Sequence, residues 1–295
     1  MQFNHLKQVF LNNMKQLANV FSHAITTLVM TVYDYATLYL GLIWLGFLSL
    51  CWTLIATVLY PILPKQFAMR LGRYVIMISF RAYLASLSIS KRISFDLKAL
   101  DALRDQGPLI IAPNHPSLLD AVMVISRLPN VACVLKAELM NNLFLGAGAR
   151  LARYIRNESI RQMIMEASED FKSGSQLLLF PEGTRTVQQP VNKLKGSIAL
   201  IAMQAQVPIQ TVLIETNSRY LSKGWSLFRK PMMPIRYHIR LGKRFDPPAN
   251  SQDFMLELET YFTENLNPQF QDPPLAECTT RINNQILKKN QAGLN

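Results

Sequence analysis

The chain has 295 residues, 49% of them hydrophobic and only 17% charged, with 31 Lys and Arg against 19 Asp and Glu for a net charge of +12. That length holds one substantial domain with an appendage, or two small ones. The apolar, basic balance suits an anionic membrane surface; the basic residues are scattered, with no reader module and no zinc-finger spacing, so nucleic acid is not an expected partner. Three well-separated cysteines, Cys51, Cys133 and Cys278, imply neither a disulfide framework nor a metal site, and point to a reducing compartment.

The first element in chain order is amphipathic. Phe3, Leu6, Phe10, Met14, Leu17, Phe21, Ala24 and Leu28 recur at three- and four-residue steps among Asn, Gln and Lys. That is one apolar stripe on a polar helix, suited to the headgroup layer or to packing on the protein's own core. Ala36 to Tyr60 follows as 25 consecutive uncharged positions. A helix of that length spans roughly 37 Å, more than the ~30 Å hydrocarbon core, and Tyr33, Tyr35, Tyr39 and Tyr60 stand where interfacial aromatics belong. A buried core helix is the competing reading. Lys65, Arg70, Arg73 and Arg81 come next, and the positive-inside rule then faces the following domain towards the cytoplasm, on the inner membrane. Residues 66–88 mix Phe67, Leu71, Ile76, Phe80 and Tyr83 with arginines, again like an interfacial helix. Residues 1–90 are therefore expected to form membrane-associated helices.

Beyond residue 90 short apolar runs alternate with helical periodicity. Strands are expected at Leu109–Ala112, Val131–Leu135, Gln176–Phe180, Pro208–Ile214 and Ile235–Leu241. Helices are expected at about Ser117–Ser126, Glu138–Ile155, Glu158–Phe171, Lys195–Gln204 and Ser251–Leu266. The alternation predicts an α/β domain over 91–266 with a mixed, largely buried sheet flanked by helices. The Pro-, Gln- and Asn-rich stretch 267–295, with Lys288 and Lys289, reads as a loose tail.

Two polar clusters end two of these strands. In Asn114-His115-Pro116-Ser117-Leu118-Leu119-Asp120, a His at a strand end can move a proton near neutral pH, and an Asp just inside the next helix can fold back to orient it. Pro116 suits a helix start, and Ser117 can cap the first turn. In Phe180-Pro181-Glu182-Gly183-Thr184-Arg185-Thr186, Gly183 permits a sharp turn and Arg185 offers a planar fork for phosphate. Glu182 can orient that Arg or a substrate hydroxyl. No third ligand stands at metal spacing, and neither a nucleotide loop nor a Gly-x-Ser-x-Gly elbow is present.

These residues resemble a known family. Asn114 to Asp120 is similar to the Asn-His-x-x-x-x-Asp signature of the glycerolipid (1-acylglycerol-3-phosphate) acyltransferases, and Phe180 to Thr186 resembles their Phe-Pro-Glu-Gly-Thr-Arg-Ser block. Lys136-Ala137-Glu138-Leu139 and Val207-Pro208-Ile209 resemble their second and fourth blocks, so the likeness runs from about residue 85 to 245 in family order. It implies a membrane-associated O-acyltransferase with the glycerolipid acyltransferase fold. His115 would act as general base, oriented by Asp120, on an acceptor hydroxyl that attacks the thioester of acyl-CoA or acyl-carrier protein. Asn114, Ser117, Glu182, Gly183, Thr184 and Arg185 would hold the acceptor, with Lys136 and Arg185 on its phosphate; neither cofactor nor metal is implied. The second block departs from the family pattern at Ala152-Arg153-Tyr154-Ile155-Arg156-Asn157. Arg153 and Arg156 can serve a phosphate or another headgroup, which leaves lysophosphatidic acid, a lyso-ornithine-type lipid or another hydroxylated lipid open as acceptor. A non-catalytic membrane scaffold of the same fold is the remaining alternative.

Overall fold

The structure, a computed structural model, describes residues 2–188, 190–226 and 228–266, with side chains described from residue 11 onward. The expected tail and Cys278 lie outside the described residues, as do the side chains of Phe3, Leu6 and Phe10 at the start of the amphipathic stripe. The chain divides into two compact units, 1–43 and 44–295.

In the first unit the amphipathic stretch and the start of the apolar stretch are not separate helices. Both belong to one helix, α1 (Gln2–Leu59). Every residue from 11 to 30 is exposed, Leu17, Val20, Phe21 and Leu28 by 65% or more. That part of the stripe has no protein core to cover it. Leu11–Leu59 is long enough to cross a membrane, and an 18-residue window within it is apolar enough, with a mean hydropathy of 2.1.

The second unit begins within α1, because residues from Trp44 on pack against the sheet domain. Thr53 donates to the Phe144 carbonyl at 2.9 Å, and Ala56 sits at 0% exposure with Ala68, Ala147 and Leu151. A turn leads to α2 (Lys65–Ile89), whose Arg73 is 1% exposed. Arg73 holds Asp170 at 2.6 Å, Ser175 at 2.8 Å, Asn130 at 3.0 Å and the Ala152 carbonyl at 3.0 Å. A buried guanidinium is tolerable only with such complete pairing. The positive-inside count therefore loses one of its charges: Arg73 ties α2 to the domain and faces no headgroup.

The sheet has seven strands: β1 (Ile93–Asp96), β2 (Leu109–Pro113), β3 (Val131–Leu135), β4 (Ile155–Arg156), β5 (Gln176–Leu178), β6 (Ile209–Thr216) and β7 (Ile235–Phe245), in the order β1-β7-β6-β2-β5-β3-β4. β6 and β7 run antiparallel and every other pair is parallel, so the sheet is mixed. β2 is buried at every position, as its unbroken apolar run requires of a strand covered on both faces. α3 (Leu119–Ile125) follows β2; α6 (Ile160–Lys172), α7 (Ser197–Ala205) and α8 (Ser251–Asn265) pack Phe171, Ile198, Phe254 and Phe262 into the main core.

Two elements differ from expectation. The helix expected over 138–155 is broken into α4 (Ala137–Met140) and α5 (Gly146–Leu151), then becomes β4. A Cβ at Gly146 would stand 2.5 Å from the Met140 carbonyl oxygen, and Arg153 takes a left-handed φ of 53°, so the chain turns instead of continuing. β1 was not expected; it has four residues and registers on Ile235–His238 of β7, a pairing too short and too distant in sequence to leave a periodic signal.

Candidate active site

β2 delivers its carboxyl end to the site, and Asn114 fixes that end. Its side chain donates to the Ile214 carbonyl at 2.9 Å and accepts from the Ile214 N–H at 2.7 Å, bridging β2 to β6. Ser117, fully buried, donates to the Tyr220 carbonyl at 3.0 Å and meets the Tyr237 hydroxyl at 3.2 Å. Both side chains are therefore spent inside the protein; the expectation that they touch an acceptor is corrected.

Between them stands His115. Its Nδ1 is 2.8 Å from Asp120 Oδ2, which also accepts the Ser117 N–H at 2.7 Å. The first turn of α3 thus folds the carboxylate back over five residues, and the N–H it satisfies belongs to the turn that makes this possible. Asp120 is 0% exposed and the His115 side chain 16%. Burial raises the Asp120 carboxyl above its ordinary value, against the pull of the His115 ring, the Ser117 N–H and the more distant Arg185. With Nδ1 held on the carboxylate, Nε2 is the atom left to exchange a proton. Phe180 stacks on the imidazole at 3.9 Å between ring centroids, inclined by 23°, which fixes the ring plane.

The second cluster is stitched directly onto the first. Glu182 Oε1 accepts the His115 N–H and the Thr186 hydroxyl, both at 2.8 Å, while Oε2 accepts the Asn192 N–H at 2.9 Å. The Thr186 N–H returns to the His115 carbonyl at 2.7 Å. At 2% exposure Glu182 is turned inward and its three hydrogen bonds all stay within the protein; it positions the histidine's backbone. Burial pushes its carboxyl up, opposed by the hydrogen bonds from Asn192, Thr186 and His115. Gly183 has φ 65°, a left-handed conformation that favours glycine whatever the space; the exposed Lys195 side chain, 2.8 Å from where a Cβ would stand, could swing aside. Half-buried Thr184 leads to Arg185, whose Nη1 donates to the Leu221 and Ser222 carbonyls at 2.8 and 3.1 Å. Its Nε and Nη2 carry no hydrogen bond among the described residues, which leaves an edge of the fork for an anion.

Lys136, exposed just before α4, has no ion pair among the described residues. Arg153 and Arg156 are not brought to His115. β4 lies three strand spacings from β2, roughly 14 Å. The two arginines line a separate pocket of about 590 Å³ and face Glu169 at 3.7 Å and Glu158 at 3.8 Å. Among the described residues no group of three or more His, Cys, Asp or Glu could hold a metal ion.

Beside the turn that carries His115 and Asp120 runs an almost wholly apolar cavity of about 220 Å³. Leu118, Ala121, Val122 and Ile125 form one wall, with Leu48 and Phe80 opposite. This cavity and the segment 217–225 escape sequence reasoning. The segment acts through backbone carbonyls: Leu221 accepts from both Arg185 and the Leu118 N–H. A carbonyl carries no residue signature.

Residues 94–215 match the family model described as Acyltransferase. The chain is 23% identical over 183 residues to the 1-acyl-sn-glycerol-3-phosphate acyltransferase of Pseudomonas aeruginosa, covering 60% of this chain and 70% of that one. It is 30% identical over 131 residues to a putative 1-acyl-sn-glycerol-3-phosphate acyltransferase, acl-2, of Caenorhabditis elegans, covering 42% and 46%. The fold is that of PlsC from Thermotoga maritima, a 1-acyl-sn-glycerophosphate acyltransferase, with a TM-score of 0.51 at 19% identity over 74% of this chain and 93% of that one. Both clusters, joined at the carboxyl ends of β2 and β5, lie inside the segment that the acyltransferase family model matches.

Proposed function

We propose that this protein is a membrane-associated O-acyltransferase that moves a fatty acyl group from an acyl thioester, acyl-CoA or acyl-carrier protein, to the free hydroxyl of 1-acylglycerol-3-phosphate. The observation that carries this reading is the His115–Asp120 pair at 2.8 Å, which leaves Nε2 to exchange a proton, with an apolar cavity lined by Leu118 and Ala121 at the start of the same helix. Nε2 takes the acceptor's hydroxyl proton as its oxygen attacks the thioester carbonyl. The tetrahedral intermediate collapses with cleavage of the C–S bond, and the imidazolium returns the proton to the departing thiolate. Asp120 supports the imidazolium and Glu182 holds the backbone that carries the ring. Arg185, with Lys136, meets the acceptor's phosphate. The test supplies purified protein with acyl-CoA and a panel of lysolipids, following free thiol and lipid product. Thiol release dependent on 1-acylglycerol-3-phosphate is expected; release that no lysolipid stimulates would remove the reading.

Arg185→Lys keeps the charge but loses the planar fork that both grips the 221–222 carbonyls and presents an edge to phosphate. The expected result is a rise of roughly tenfold or more in the acceptor KM with the donor KM nearly unchanged. A rise confined to the donor KM would move the phosphate elsewhere.

The membrane reading rests on apolar surface. On the second unit Phe47, Leu54, Val58, Ile62 and Phe67 are each at least 55% exposed, along α1 and the start of α2. Such a contiguous face belongs against lipid or another protein, not water. The full chain should stay in the membrane pellet through a high-salt wash, since salt screens charge and not burial, and should leave it in detergent. Release by salt alone would reduce the association to electrostatic docking.

A further inference from the structure

One loop is tied to the turn that carries His115 and Asp120 through three successive carbonyls. Ser117 donates its hydroxyl to Tyr220, Leu118 its N–H to Leu221, and Arg185 its Nη1 to both Leu221 and Ser222. Leu221 holds a left-handed φ of 58°, a conformation that is costly for a side chain of its kind and that clusters at ligand sites. Ser222 in turn accepts the Trp225 N–H at 3.2 Å, so these two residues share a turn. Ser222 is 8% exposed and Trp225 9%, and Ser222 Oγ and Trp225 Nε1 are buried with no hydrogen bond among the described residues. The indole N–H can only donate, and the hydroxyl is able to. Around them the sequence is one-sided. From Asn217 to Pro234 it carries Arg219, Lys223, Arg229 and Lys230, with neither Asp nor Glu. The Arg229 guanidinium lies over the Trp225 ring, 4.6 Å from its centroid.

A buried donor without a partner costs free energy. Here two of them stand on the loop whose carbonyls hold Arg185, in a stretch of purely positive charge. We propose that Ser222 Oγ and Trp225 Nε1 complete, with the open edge of Arg185, a seat for an unsubstituted phosphate, and so determine which headgroup the enzyme accepts. The proposal rests on the acyltransferase reading given above and deepens it, since the acceptor is selected as a phosphomonoester. Arg185 supplies charge and a planar fork. Trp225 and Ser222 supply direction from inside the protein, and a group that they hold must be buried with them. A phosphodiester presents fewer terminal oxygens and brings a second ester arm that needs room at the same buried position. A lysolipid without phosphate leaves both donors unpaired, the situation in which a polar site discriminates most strongly.

The experiment measures kinetics of the full-length enzyme in detergent with acyl-CoA, offering 1-acylglycerol-3-phosphate or the phosphodiester lysophosphatidylethanolamine as acceptor. The native enzyme should prefer the phosphomonoester. Trp225→Phe keeps a ring beneath Arg229 and removes only the N–H; Ser222→Ala removes the hydroxyl. Each should raise the KM for 1-acylglycerol-3-phosphate by roughly tenfold or more, as the loss of a hydrogen bond to a charged group implies. The donor KM should stay nearly unchanged, and the preference over the phosphodiester should narrow. General structural damage would instead lower use of both acceptors together and leave their ratio in place, which would count against the seat. Either variant serves should the other fold poorly. An acceptor KM that neither variant moves would show the two donors satisfied within the protein, and would overturn the seat while leaving the acyltransferase reading intact. A rise in the donor KM alone would make the anion a phosphate of coenzyme A and overturn the acceptor assignment. A native enzyme that uses the phosphodiester as readily as the phosphomonoester would overturn the headgroup selection. No acyl transfer by the native enzyme to either lysolipid would overturn both the seat and the reading beneath it.

Discussion

His115→Ala should lose acyl transfer by roughly 10²- to 10⁴-fold, the range that a positioned general base contributes. The loss should appear in kcat, since the side chain makes no other contact that an acceptor's phosphate or a donor's chain would need. Folding should survive. The imidazole is partly exposed, its backbone N–H and carbonyl remain bonded to Glu182 and Thr186, and the chief packing lost is the stack on Phe180. Such ring pairs are worth about 1 kcal/mol, well within what a domain with this core tolerates. Circular dichroism and the melting temperature separate a chemical defect from an unfolded protein. Turnover within a few-fold of native would take His115 out of the chemistry.

The division between what the sequence discloses and what it hides follows a physical line. Asp120 and His115 are five residues apart on a strand, a turn and a helix start, and local geometry alone brings them within hydrogen-bond distance; spacing is enough to see it. β2, β3 and α6 are likewise legible, because each buries one face or both and must therefore repeat its apolar residues. Glu182 is legible as a motif and misread as a contact. Its residue type says that it can bind a hydroxyl or a guanidinium, but only tertiary placement shows that His115, Thr186 and Asn192 have already taken its oxygens. Arg73 fails in the same way, counted with the membrane-flanking cations and found at the centre of a buried network. The break between α4 and α5 is decided by the approach of Gly146 to the Met140 carbonyl and of Gly148 to Trp52, contacts that helical propensity cannot register.

Asp120→Asn separates catalysis from stability more sharply than any other substitution at the site. Activity should fall by several orders of magnitude, because the amide carries no charge to support an imidazolium and can hold Nδ1 in the wrong tautomer. Stability should move the other way. The native carboxyl is fully buried, its Oδ1 has no hydrogen bond among the described residues, and burial raises its pKa above the unfolded value. Between those two values the folded chain holds the proton more tightly than the unfolded chain, so stability falls as pH rises through that window and the cost is complete above it. Asparagine keeps an acceptor for the Ser117 N–H without that cost. The melting temperature of Asp120→Asn should therefore equal or exceed the native value at pH 8, with the gap narrowing as pH falls towards the folded-state value. A variant that melts lower than native at pH 8 would show that the ion pair with His115 outweighs the burial of the charge, and Asp120 would then be a stabilising group and not one retained at a cost for the reaction.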